Sequence, residues 1–105
     1  MRANLFLLLS SLAAHAFAGP AIDAARKQEL KYLLQQDCGS CHGLTLKGGL
    51  GPALLPENLA GKPIEFLTAT ILDGRPGTAM PPWRPLLKPE EAQWLAQILL
   101  RGDTK

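Results

Sequence analysis

The chain has 105 residues, room for one small domain, with eleven Lys and Arg against nine Asp and Glu. A net charge of +2 lacks the strong basic excess that nucleic acid or an anionic membrane surface attracts, so neither is expected as a partner.

The first residues read as a secretory signal. Arg2 supplies a positive start, Leu5 to Leu12 an apolar run broken only by Ser10 and Ser11, and Ala16-Phe17-Ala18 an A-x-A cleavage site. Cleavage after Ala18 gives a signal peptide over residues 1–18 and a single domain over residues 19–105, delivered to the periplasm. The stretch from Leu5 to Ala18 contains His15 and two serines, and falls short of the roughly 20 apolar residues a spanning helix needs. No later run is that long, so no membrane span is expected after cleavage. The mature chain would keep 87 residues, a formal charge of +1, one histidine (His42) and one methionine (Met80).

A first helix is expected from Ala24 to Gln36, with Asp23 as N-cap. Leu30, Leu33 and Leu34 form its apolar stripe, leaving Arg26, Lys27, Glu29 and Lys31 for solvent. From Gly43 to Lys62 glycine and proline are too dense for any regular element. Leu44, Leu46, Leu50, Leu54 and Leu55 recur within it, as suits a segment wrapped around a large flat apolar object. A second helix is expected from Pro63 to Leu72, with Pro63 in its first turn, Ile64, Leu67 and Ile71 on one face and Phe66 beside them. Breakers return from Gly74 to Trp83. A last helix starts at Pro89-Glu90-Glu91, buries Leu95, Ile98 and Leu99 with Trp94 flanking, and stops at Gly102. No strand-like alternation and no repeat occurs, so the expected fold class is all-α.

The residues Cys38-Gly39-Ser40-Cys41-His42 match C-x-x-C-H, the signature of covalent haem attachment. Two thiols three positions apart can each add to one vinyl group of a haem, and the adjacent imidazole then faces the iron as an axial ligand. A disulfide or dithiol pair is the competing reading in an exported chain. A thioredoxin-like site belongs to a βαβ pattern that is missing here. A zinc site would be one ligand short of a closed tetrahedron. A lone methionine such as Met80 is ordinarily core filler. Beside a haem motif, and held in a Pro/Gly loop, its thioether becomes the candidate second axial ligand, which would favour ferrous iron and fill the sixth position.

With Gly51-Pro52-Ala53-Leu54, Met80-Pro81 and a final apolar helix following the C-x-x-C-H motif, the chain resembles a small class I cytochrome c over its mature length. The resemblance implies three main helices with Gly/Pro-rich loops wrapped around one covalently attached haem c. Cys38 and Cys41 would form the thioethers, and His42 and Met80 would be the axial ligands. The carbonyl of Pro52 would accept a hydrogen bond from the other ring nitrogen of His42. It implies a one-electron carrier and not an enzyme, monomeric, meeting redox partner proteins weakly at an exposed haem edge rimmed by Ala79, Pro81 and Pro82. Arg75, Trp83 and Arg84 are candidates for the haem propionates, against ordinary surface charge and a packed indole. The run Pro76 to Pro85 is similar to the ligand loop of small periplasmic cytochromes encoded with the cytochrome-type nitrite reductase of denitrifiers. That family passes electrons to the reductase or assists maturation of its specialised haem. A haem peroxidase or ligand-binding sensor is the remaining alternative, and it needs an open sixth position. A chain this short has a marginal core of its own, so the apoprotein is expected to be largely unfolded without the covalent group.

Overall fold

The computed structural model describes residues 21–105. The expected signal peptide over residues 1–18 lies outside the described residues.

Helix α1 spans Ala24–Leu33, and the Asp23 carboxylate caps it by accepting the Arg26 N–H at 2.7 Å. Leu30 and Leu34 are fully buried and Leu33 half-buried, which places the expected stripe against the core. The helix does not end at Gln36. It passes into a π turn over Leu34–Cys38, closed by the Gly39 N–H on the Leu34 carbonyl, and continues as α2, Gly39–His42. A π turn inserts one residue into the helical register. The next buried position after Leu34 is therefore Gly39, five residues on.

The Gly43 to Lys62 segment is irregular apart from one helical turn, α3, at Pro56–Leu59. That turn was not expected; Pro56 at its start and Glu57 beside it suit the first turn of a helix, and Leu59 is buried. Of the recurring leucines, Leu46 is buried, Leu54 and Leu55 pack half-buried on the core, and Leu44 and Leu50 are exposed. Leu46 sits at φ 60°, a left-handed conformation that costs a branched residue about 1 kcal/mol. Burial of its side chain offsets that cost. Both its backbone groups are also bonded, the N–H to Gly43 O and the carbonyl to Leu54 N–H, each at 2.9 Å.

Helix α4 spans Ile64–Asp73, with Pro63 as N-cap, one residue before the position expected of it. Leu72 is buried, Ile64, Leu67 and Ile71 half-buried, and Phe66 exposed. Helix α5 spans Pro89–Arg101, opens on the expected first-turn proline and closes on Gly102 in the left-handed conformation. It buries Ala92, Leu95, Ala96, Ile98 and Leu99, and packs against α4, α3 and α1. The core is thus organised around α5. Among the described residues there is no strand, and no helix is long and apolar enough to cross a membrane. The fold is all-α, with the three main helices and Gly/Pro-rich loops expected.

One interaction in this core was absent from the sequence reading, which left Arg26 to solvent and Glu91 to the helix dipole. Glu91 is only 5% exposed. It accepts Nε of Arg26, a second guanidinium nitrogen at 3.2 Å and the Lys88 N–H at 2.9 Å. The pair ties α1 to α5 across 65 residues of chain. The hydrogen bond from Arg26 holds the Glu91 carboxyl below the usual carboxylate range, against the opposing effect of burial. A carboxyl whose folded-state pKa is depressed contributes stability above its unfolded value, about 4.3, and loses it as pH falls through the folded value. Glu91→Gln should lower holoprotein stability at pH 7 by about 2 kcal/mol in denaturant unfolding. It should also flatten the decline of stability below pH about 4.

Candidate haem-attachment site

The π turn delivers Cys38 at its last position, and α2 carries Cys41 and His42. Both cysteines are free and half-buried. Burial pushes the Cys38 thiol up to about 11, with the Asp37 charge adding to it. A redox-active C-x-x-C pair needs the opposite, a thiol pKa lowered toward neutrality. The environment of Cys38 therefore disfavours dithiol redox chemistry, which uses the thiolate.

The helix ends at Gly43, and the chain doubles back onto its own C-terminus. Gly48 N–H donates to His42 O, and Gly51 N–H to Cys41 O, both at 2.8 Å. Two carbonyls orphaned by the helix end are satisfied this way. The return brings backbone so close that side chains have no room. A Cβ on Gly43 would lie 2.6 Å from Gly48 O, and one on Gly49 would lie 2.8 Å from Cys41 O. A Cβ on Gly51 would lie 2.9 Å from both Cε1 and Nδ1 of His42, so Gly51 lies against the imidazole. The next residue, Pro52, brings its carbonyl oxygen to 2.7 Å from His42 Nδ1. In that contact Nδ1–H donates, which leaves the Nε2 lone pair free for a metal.

Met80 lies on a different segment, the loop that follows α4. Trp83 N–H donates to Ile71 O at 3.1 Å and Arg84 N–H to Leu72 O at 3.0 Å, which closes the neck of the loop. The Arg84 guanidinium binds Asp73 Oδ1 through two nitrogens, at 2.9 and 2.7 Å. Inside the loop the Thr78 hydroxyl donates to Arg75 O at 2.6 Å and accepts the Met80 N–H at 3.3 Å. Met80 is half-buried, yet it is not among the side chains packed on the buried cluster, which weighs against core filler. Of the three propionate candidates, Arg84 pairs with Asp73 at the surface, Trp83 packs on the core, and Arg75 is exposed.

The structure thus gathers Cys38, Cys41, His42 and Pro52 into one helix end and its return loop, and carries Met80 on a second loop. The donor set suits a haem: two free thiols, an imidazole with one nitrogen already bonded, and apolar Leu50, 95% exposed, next to Gly51. The glycines that make this geometry were read from the sequence only as breakers. Their density was the available signal, but which side chain each one meets depends on the tertiary return.

Residues 25–98 match the family described as "Cytochrome C oxidase, cbb3-type, subunit III". The chain is 55% identical to cytochrome c55X of Paracoccus denitrificans over 103 residues, covering 98% of this chain and 99% of that one. It is 60% identical to cytochrome c55X of Pseudomonas aeruginosa over 81 residues, 77% of this chain and 68% of that protein. Among solved structures it resembles the c-type cytochrome NirC, with a TM-score of 0.78 and 59% identity, covering 79% of this chain and 98% of that one. A helix end bearing C-x-x-C-H, a bonded imidazole behind it and likeness along nearly the whole length lead to one conclusion: the chain belongs to the small c-type cytochromes that include cytochrome c55X, electron-transfer proteins with one covalently bound haem c.

Proposed function

We propose that this cytochrome is a periplasmic one-electron carrier of denitrification that serves nitrite reductase, with His42 and Met80 as axial ligands and thioethers from Cys38 and Cys41. The observation that carries the site assignment is the 2.7 Å contact of His42 Nδ1 with Pro52 O, directly behind the two free thiols. The similarity of the Pro76 to Pro85 loop to the nitrite-reductase-associated cytochromes, and the relation to NirC, favour the pathway. Export through the signal over residues 1–18 would bring the chain to the compartment where such cytochromes work.

Bound haem supplies a ferric/ferrous couple. Around it the chain's own groups hold still. Pro52 O keeps Nδ1 protonated, fixes the ring plane and makes the imidazole a stronger donor. Gly51 supports one side of the ring. Met80, as a soft ligand, would favour the ferrous form and keep small exogenous molecules from the sixth position, which separates a carrier from a peroxidase or sensor. Ala79, Pro81 and Pro82 are exposed on the same loop and give a partner a small apolar contact. With so little net charge, long-range steering is slight, and docking is brief and short-ranged, as suits a redox encounter.

Spectra of the oxidised and reduced holoprotein beside Met80→Ala test the ligand set. The expected parent is low-spin with a weak far-red sulfur-to-iron band; the variant loses that band and binds CO when reduced. A native protein that is high-spin or CO-reactive would put the sensor or peroxidase reading first. Gly51→Ala should press on the imidazole and weaken the Pro52 bond. Potentiometric titration should then show the ferric/ferrous balance shifted about tenfold toward ferrous iron, the scale on which outer partners act at metal sites. In a gene-deletion strain, nitrite reductase that is complete but starved of electrons is the expected result. Reductase made without its specialised haem would assign a maturation role instead.

A further inference from the structure

We infer that Gly74 is a positioning residue for the Met80 sulfur, an inference that rests on the His42/Met80 ligation proposed above. Helix α4 ends on Gly74 at φ 68° and ψ −166°, a conformation open essentially to glycine alone. A Cβ there would lie 2.6 Å from Met80 O, 2.7 Å from the Pro81 carbonyl carbon and 2.8 Å from Pro82 N. All three are backbone atoms, and none can swing aside as the end of a long side chain can. The peptides that follow Met80 therefore rest directly on the Gly74 Cα.

The loop cannot yield locally. Pro81 and Pro82 have φ locked near −65° by their rings, so the segment moves as a block. Arg75 N–H donates to Met80 O at 3.3 Å, and Ile71 O and Leu72 O hold Trp83 N–H and Arg84 N–H at the neck. Seated this way, the Met80 backbone takes its position from the end of α4. A side chain at residue 74 would lift Met80, Pro81 and Pro82 together and draw the thioether off its mark.

Two other glycines separate this contact from the cost of a positive φ as such. Gly77, in the same loop, has φ 79°, and Gly61 has φ 80°; an added Cβ at either would meet no heavy atom within 4 Å. Alanine at those sites carries the cost of a positive φ without displacing a neighbour.

The test compares holoprotein from Gly74→Ala, Gly77→Ala, Gly61→Ala and Met80→Ala by the far-red band and by imidazole titration of ferric protein. Gly74→Ala should lose much of the far-red band and bind imidazole about tenfold or more tightly, while Gly77→Ala and Gly61→Ala stay within about threefold of the parent. Gly74→Ala behaving like Gly77→Ala, with Met80→Ala clearly altered, would overturn the positioning role and leave the ligation intact. Met80→Ala matching the parent in both readouts would overturn the ligation and this inference with it. If Gly74→Ala does not accumulate as holoprotein, amide exchange in the parent decides. Displacing Met80 with saturating imidazole should speed exchange of the Arg75, Trp83 and Arg84 amides together. Unchanged exchange at those three amides would overturn the inference.

Discussion

The hydrogen bond between His42 Nδ1 and the Pro52 carbonyl joins the two pieces of chain on which the rest of the site depends. Its donor stands at the end of a helix, and its acceptor arrives ten residues later at the close of a doubled-back loop. For the two to meet at 2.7 Å, the loop must return tightly enough that Gly48 and Gly51 also satisfy the carbonyls of His42 and Cys41. Three of the four glycines in that return are needed for closeness, while Gly48, at φ 106° with no neighbour nearer than 3.5 Å to an added Cβ, serves the turn itself. A methyl group at Gly43, Gly49 or Gly51 would meet backbone or imidazole at under 3 Å. The helix end, the loop and the imidazole orientation therefore form one unit, and an error in any of them spreads to the others.

That unit hangs on a modest core. Helix α5 touches each of the other main helices, and the Arg26–Glu91 pair fixes α1 to its first turn. The Cys38 side chain packs against the buried cluster, and so do Leu54 and Leu55 of the return segment. Leu44 and Leu50, by contrast, present exposed apolar surface. Covalently attached haem c would add a large apolar body to a domain whose own core is small. The expectation that the apoprotein is largely unfolded would make folding and cofactor attachment aspects of one process.

Local signals in the sequence were read correctly where the physics is local. Asp23 caps α1, Pro89 opens α5 and Gly102 closes it, because capping depends on a few adjacent residues. The attachment motif and the small c-type cytochrome family were legible for the same reason: their chemistry is written in short spacings. The π turn was not. One inserted residue leaves the Leu30, Leu33, Leu34 stripe intact and shows only in that the next buried position is Gly39. Nor was the pairing of Arg26 with Glu91, because each looks like a solvated helical charge until α1 and α5 are packed together. Nor was the pairing of Arg84, a propionate candidate, with Asp73 at the loop neck.

The two proposed ligands are placed on different principles, and that difference bears on how the proposed couple would be tuned. His42 is fixed by covalent geometry on its own helix, by a hydrogen bond to its ring and by Gly51 against it. Met80 has no such partner on its side chain; it is placed through its backbone, by Gly74, Arg75 and the loop neck. A thioether held only through its main chain can be displaced by opening a loop, with no core contact of its own to break. An imidazole held from three directions cannot. In the proposed ligation the histidine side is therefore the constant of the site and the methionine side its variable. The reduction potential and the resistance of the iron to outside ligands would both be set largely by how firmly the loop after α4 stays seated.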